Sequence, residues 1–195
     1  RPESPATSPN ATASAPMSDP IRIQFVCLGN ICRSPLAKAV FRDKVEEAGL
    51  ADHFEIVSSG TSNYHIGDPA DRRMRETAQR NGHSLEDHEA SQFSKEDLER
   101  FDHIFVMDKS NLNDVLHLDE DDEHGGKVRL FREFDPQPDD YQVPDPYHGG
   151  RKGFENVYDI VERTADMLLH QLADEYDLIE VADDEGETGN QDTAD

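Results

Sequence analysis

Apolar positions along this chain fall into two rhythms, short runs that suit strands and spaced stripes that suit helices. Ile21-Arg22-Ile23-Gln24-Phe25-Val26 is an apolar, β-branched run and predicts a first strand. A helical pattern follows over 35–48, with Leu36, Ala39, Val40 and Val45 on or near one face and Gly49 as its stop. Residues 54–57 read as a second strand, and 71–81 as an exposed helix closed by Gly82. Ser94-Lys95-Glu96-Asp97 has the form of a capping box and opens a helix that ends at Arg100. A third, largely apolar strand over 103–108, a helix over 110–118 and a short strand over 128–131 come next. Phe154, Val157, Val161, Ala165, Leu168 and Leu172 form one stripe of a last helix over 153–173. Strands alternating with helices predict an α/β fold of three layers, a four-stranded parallel sheet flanked by helices.

The segments between these elements carry the turn and charge signals. Residues 58–67 are a polar loop with one aromatic, Tyr64. Asp119 to Glu123 are five consecutive acids and predict a solvated loop. Residues 132–150, rich in Pro, Asp and Gly, predict a long irregular loop of the kind that often serves function. The Pro/Ser/Ala/Thr-rich residues 1–17 are expected to be a disordered extension, 18–173 the compact domain, and 174–195 an acidic, disordered tail.

Charge and cysteine count narrow the function classes. The chain has 43 acidic and 19 basic residues, a net charge of −24. Much of the excess lies in 174–195, yet the remainder is still strongly acidic, so nucleic acid and anionic membrane are not expected partners. Such a body repels a phosphorylated substrate at long range, and any phosphate site needs a strong local positive field. Cys27 and Cys32 are the only cysteines. Two thiols five residues apart are not a secreted disulfide framework, and a cytoplasmic location is expected. No apolar run is long enough for a membrane span.

The two cysteines sit in the stretch with the most chemistry, Cys27-Leu28-Gly29-Asn30-Ile31-Cys32-Arg33-Ser34-Pro35 between the first strand and the first helix. Ser34 is expected as N-cap and Pro35 as first helical residue. A helix start offers unpaired N–H groups and a positive dipole end, which together bind anions. There is no lysine in the stretch, so it is not a nucleotide-binding Walker loop. A thiol in such a field is expected to ionise readily and to act as a nucleophile. Arg33 offers a planar fork for two phosphate oxygens. Ser34 can donate to the Cys27 sulfur, and Gly29 and Asn30 suit the positive φ that turns N–H groups inward. Leu28, Gly29, Asn30, Ile31 and Cys32 are thus the expected phosphate-binding loop. Cys32 invites a second expectation, a reversible disulfide that protects oxidised Cys27.

The segment VCLGNICRSP resembles the signature loop of the low-molecular-weight protein tyrosine phosphatases, and Asp145-Pro146-Tyr147 matches a second motif of that family. The resemblance covers about residues 20 to 173. It implies hydrolysis of protein phosphotyrosine through a cysteinyl-phosphate, with phosphate as product or inhibitor and no cofactor or metal. It assigns Cys27 as nucleophile, Arg33 as clamp and Asp145 as general acid, then base. Departure of an alkoxide or phenoxide needs such an acid. It places Tyr147 against the substrate ring, His148 at a variable position, and Tyr64 on the site wall where relatives have Trp. It also implies that Asn30, Ser58 and His88 brace the loop. Relatives often pair this His with a Glu, and Lys38 stands there instead. Arsenate reductases share the loop but need a third Cys that is absent here. Protein-arginine phosphatases share it with Thr at Ile31 and Phe at Tyr147. A non-catalytic phosphate-binding module is the reading from another class, and the intact Cys, Arg, Ser and Asp argue against it. His83, His88 and His103 lack metal-ligand spacing, so no metal site is expected.

Overall fold

The computed structural model describes residues 18–178. The segments expected to be disordered, 1–17 and all but the start of 174–195, lie outside the described residues.

Four strands, β1 (Ile21–Cys27), β2 (Phe54–Gly60), β3 (His103–Val106) and β4 (Val128–Leu130), form one parallel sheet in the order β2-β1-β3-β4. The helices are α1 (Arg33–Glu47), α2 (Arg72–Arg80), α3 (Lys95–Arg100), α4 (Lys109–His117) and α5 (Arg151–Glu175). The period of two along each strand decides the layers. Ile21, Ile23, Phe25 and Cys27 of β1, with Phe105 of β3, enter one core with α1 and α5. Val26 of β1, with Ile104 and Val106 of β3, enters the other with Leu98 of α3 and Val115 of α4. A one-residue slip of β1 would exchange the two sets, so its register is fixed by both cores at once. Phe25 is fully buried and packs edge-on to Phe41 and Phe131, at 5.8 and 5.3 Å between ring centres.

This strand order reverses direction at β1, because β2 lies on one side and β3 on the other. In open α/β sheets, ligands sit beyond the strand carboxyl ends at such a switch point. Cys27 ends β1 there, and Asp108 follows β3.

Several local expectations need correction, among them the third strand, which ends at Val106 rather than at 108. α1 begins at Arg33, with Cys32 at the N-cap position and no side-chain cap. Ser34 is inside the helix, because its hydroxyl is taken by the loop instead. Pro35 is then the third helical residue, where its missing N–H still costs nothing. β2 runs on through Ser58–Gly60, which read as loop because they are small and polar; they face the loop after β1 and are buried by it. The acidic run is not wholly solvated. Asp119 is buried and accepts the N–H groups of Glu123 and His124, at 3.3 and 2.8 Å, so it folds the loop. The first acid of the run serves as an internal cap, a role invisible in charge alone.

The fourth strand stops at Leu130, and Phe131–Phe134 is a 3-10 turn. The long segment after it is braced from within. Asp135 accepts from Arg132 at 2.9 Å and from Arg163 of α5 at 2.7 and 3.0 Å. Buried Arg132 also donates to the Gln142 carbonyl at 2.7 Å. Next to it, the Val143 N–H donates to the Met107 carbonyl at 2.8 Å. The segment that carries Asp145 is therefore anchored to β3 and α5. No described helix is long and apolar enough to cross a membrane.

Candidate active site

The loop after β1 borders a cavity of about 260 Å³. Cys27, Leu28, Gly29, Ile31, Cys32 and Arg33 line its floor, and Tyr64, His65, Asp145, Tyr147 and His148 line its walls. Among the described residues, none accepts a hydrogen bond from the backbone N–H of Leu28, Gly29, Ile31, Cys32 or Arg33. Unpaired donors in this arrangement form an anion cradle. Only the Asn30 N–H is used, donating to Cys27 Sγ at 3.3 Å.

Asn30 does not line the cavity, contrary to its place among the expected substrate contacts. It is fully buried, at a φ of 56° that suits Asn, and holds the loop from behind. Its amide donates to Ser34 Oγ at 2.8 Å and Ser58 Oγ at 3.0 Å, and its Oδ1 accepts from the Ser91 N–H at 2.9 Å. His88 Nε2 donates to its carbonyl at 2.6 Å. Ser34 Oγ lies 3.0 Å from Cys27 Sγ and 3.1 Å from the Ser59 carbonyl. Its one proton can serve only one of them. With a neutral thiol it can rest on the carbonyl, and with a thiolate it can turn to sulfur.

Arg33 is 3 % exposed and held on one side. Its Nη1 donates to Asp108 Oδ2 at 2.7 Å and to the Val143 carbonyl at 3.1 Å. Its Nη2 lies 3.6 Å from Asp145 Oδ2. Burial pulls the guanidinium down, but Cys27, Asp108 and Asp145 outweigh it and raise its pKa. Asp108 is a functional candidate that sequence reasoning passed over; its signal is an acid directly after an apolar strand at the Cys27 edge of the sheet. The Asp145 carboxylate also accepts from the Tyr147 N–H at 3.0 Å. Cys27 and Cys32 are both free thiols. Burial pushes the Cys32 thiol far above its ordinary pKa, and Asp71, Cys27 and Asp145 push the same way.

Gly60 is a second residue missed. A Cβ there would stand 2.7 Å from the Leu28 carbonyl oxygen and 3.0 Å from the Asn30 nitrogen. Both contacts are loop backbone, which cannot yield without moving the cradle. Gly60→Ala is expected to lower kcat/KM by about tenfold or more, since misplacement by an ångström can cost ~10²-fold. It should also cost about 1–3 kcal/mol of stability by overpacking. Steady-state kinetics and chemical unfolding of the variant check both.

The three histidines weighed as metal ligands have separate partners. His83 meets Asp43 at 2.5 Å and Tyr158 at 3.2 Å, His88 meets Asn30, and His103 meets Tyr176 at 2.7 Å. Lys38 does not pair with His88. Burial lowers the His88 pKa, and the Lys38 charge lowers it further against the pull of the Asn30 carbonyl. Burial also lowers His103. A depressed histidine contributes nothing to stability well above its unfolded value of 6.5. Below that, the unfolded chain takes up protons that the folded chain refuses, so stability falls as pH falls. The thermal midpoint should drop between pH 7 and pH 5, and His88→Gln with His103→Gln should flatten that slope.

A thiol, a guanidinium and a carboxyl converging over a cradle of backbone donors at an α/β switch point define a class, the phosphate-handling thiol enzymes. The family model for low molecular weight phosphotyrosine protein phosphatase matches residues 22–178. A low molecular weight protein-tyrosine-phosphatase of Streptomyces coelicolor is 43 % identical over 150 residues, 76 % of this chain and 91 % of that protein. A protein tyrosine phosphatase of Entamoeba histolytica, solved with Hepes in its active site, superposes with a TM-score of 0.76 at 35 % identity, covering 80 % of this chain and 99 % of that one. A Drosophila arginine phosphatase superposes with a TM-score of 0.73 at 27 % identity, covering 78 % and 98 %. The chain belongs to the low molecular weight phosphotyrosine protein phosphatase family, a family of hydrolases.

Proposed function

We propose that this chain hydrolyses protein phosphotyrosine, and small aryl phosphates, through a cysteinyl-phosphate. The observation that carries the reading is the convergence of Cys27, Arg33 and Asp145 on one cavity, with Arg33 held by Asp108 so that its other edge faces the phosphate position. In the first step the Cys27 thiolate attacks phosphorus in line. The phosphorus–sulfur bond forms as the phosphorus–oxygen bond to the leaving group breaks. Arg33 and the free loop N–H groups meet the charge on the equatorial oxygens, and Asp145 gives its proton to the leaving oxygen. In the second step Asp145 takes a proton from water, which attacks phosphorus and restores the thiolate. Ser34 supports Cys27, while Asn30, Ser58 and His88 support the loop. Phosphate, as product, occupies the same cradle and inhibits. Burial pushes the Cys32 thiol toward its protonated form, so Cys27 is the sulfur that attacks phosphorus; when a peroxide oxidises the Cys27 thiolate to the sulfenic acid, the Cys32 sulfur attacks that sulfur and its proton leaves with the sulfenic oxygen as water, closing a disulfide.

Tyr64 and Tyr147 are exposed and both line the cavity, which suits an aromatic substrate ring. Ile31 and Tyr147 favour phosphotyrosine over phosphoarginine. Phosphate release from phosphotyrosine and phosphoarginine peptides, side by side with thiol and EDTA, tests this. Release from the first and its loss in Cys27→Ser is the expected result. Release from phosphoarginine alone would make the chain an arginine phosphatase. Release from neither by folded protein, at low and at high salt, would leave a phosphate-binding module.

A further inference from the structure

Phe154 of α5, Arg73 of α2 and Tyr147 of the Asp145 segment come from three elements and meet in one layer. The Arg73 guanidinium carbon lies 4.7 Å from the Phe154 ring centre and 5.4 Å from the Tyr147 ring centre. Phe154 is buried, whereas Tyr147 is 42 % exposed at the cavity rim. Arg73 is itself fixed, because its Nε and Nη2 donate to the two carboxylate oxygens of Asp71 at 3.1 and 2.9 Å. Asp71 in turn is tied to the phosphate loop, its N–H donating to the Ile31 carbonyl at 2.8 Å. At the other end, Tyr147 gives its N–H to Asp145. A continuous path therefore runs from the loop that would bind phosphate to the carboxyl that would protonate the leaving group.

We propose that Arg73 is a positioning residue that acts through Tyr147. A half-exposed tyrosine on a segment that continues into Gly149-Gly150 has several rotamers open to it. A clamped cation on its ring face removes most of them. The fixed ring then serves as wall for the substrate aryl group, and its backbone aims Asp145 at the leaving oxygen. Asp71 neutralises the guanidinium where it stands, so the arrangement suits holding a ring better than attracting a second anion. The inference rests on the phosphatase reading above.

A double-mutant cycle on the full chain tests it, with wild type, Arg73→Ala, Tyr147→Ala and the double variant assayed on aryl phosphates whose phenols differ in acidity. Arg73→Ala should lower kcat/KM for phosphotyrosine about 5- to 20-fold. The loss should shrink for the most acidic phenols, which need least protonation, and inhibition by inorganic phosphate should stay within about twofold. In the Tyr147→Ala background, Arg73→Ala should add less than about twofold. Arg73→Lys should recover part of the loss, since it keeps a cation but cannot engage both Asp71 oxygens. It carries the cycle if the alanine variant unfolds, which the thermal midpoints will show. Losses that multiply in the double variant, or a loss equal for all phenols with weakened phosphate inhibition, would overturn the inference while leaving the phosphatase reading intact. A wild-type chain with no activity on any aryl phosphate would overturn both.

Discussion

Cys27→Ser should abolish turnover, by about 10⁴-fold or more, while leaving phosphate binding nearly untouched. The two halves of this result come from different atoms. Serine fits the space of cysteine, and its oxygen can take the same hydrogen bonds from the Asn30 N–H and Ser34. A serine hydroxyl, however, is a poor nucleophile without a base, and the groups hydrogen-bonded to this position, the Ser34 hydroxyl and the Asn30 N–H, are not bases. In the proposed site phosphate binding falls to Arg33 Nη2 and to the N–H groups of Leu28, Gly29, Ile31, Cys32 and Arg33, which have no acceptor among the described residues, and these remain in the variant. Inhibitory anions should therefore bind the variant within about threefold of wild type, measured by calorimetry with inorganic phosphate. Loss of both activity and phosphate binding would mean that Cys27 holds the loop rather than attacking phosphorus.

Asp145→Asn has the next largest expected effect, and its size should depend on the substrate. General acid catalysis contributes ~10²–10⁴-fold, and a phenol of ordinary acidity such as tyrosine needs most of it. kcat/KM for phosphotyrosine should fall about 10²- to 10³-fold, with a smaller loss for phosphate esters of strongly acidic phenols. Because the same carboxyl serves as base in the second step, kcat should fall as well. Asparagine can still accept from the Tyr147 N–H, so the wall of the cavity should stand and KM should change little. An equal loss across all leaving groups would assign Asp145 to holding Arg33, 3.6 Å away, rather than to proton transfer.

The parts legible in the sequence are those written in neighbouring residues. The β1–loop–α1 unit, the apolar runs of the four strands and the stripe of α5 all follow from local periodicity, and the parallel sheet follows from their alternation. The place of Asp145 at the cavity agrees with its motif, although an Asp between two prolines alone reads as a turn. What stayed hidden depends on partners far along the chain. Asp108 holds Arg33 across 75 residues, Arg163 holds Asp135 across 28, and Gly60 is defined by backbone that arrives from β1. Ser34 shows how a local rule can be overridden. Its type and position favour an N-cap, yet Asn30, the Ser59 carbonyl and Cys27 together claim its hydroxyl. Lys38 shows the converse, a visible departure with a physical reading, since burial lowers the pKa of His88 and the Lys38 charge, instead of pairing with it, lowers it further.

The covalent intermediate is the centre of the proposed mechanism, and trapping it is the most direct test. The chain would be mixed with a phosphotyrosine peptide, quenched in acid within the first turnover, and its phosphoryl group located by peptide mass spectrometry. The expected result is phosphate on the Cys27 sulfur in the wild type, and none in Cys27→Ser. Active turnover with the phosphoryl group on another side chain, or with none trapped in rapid-quench time courses that resolve single turnovers, would contradict nucleophilic catalysis by Cys27.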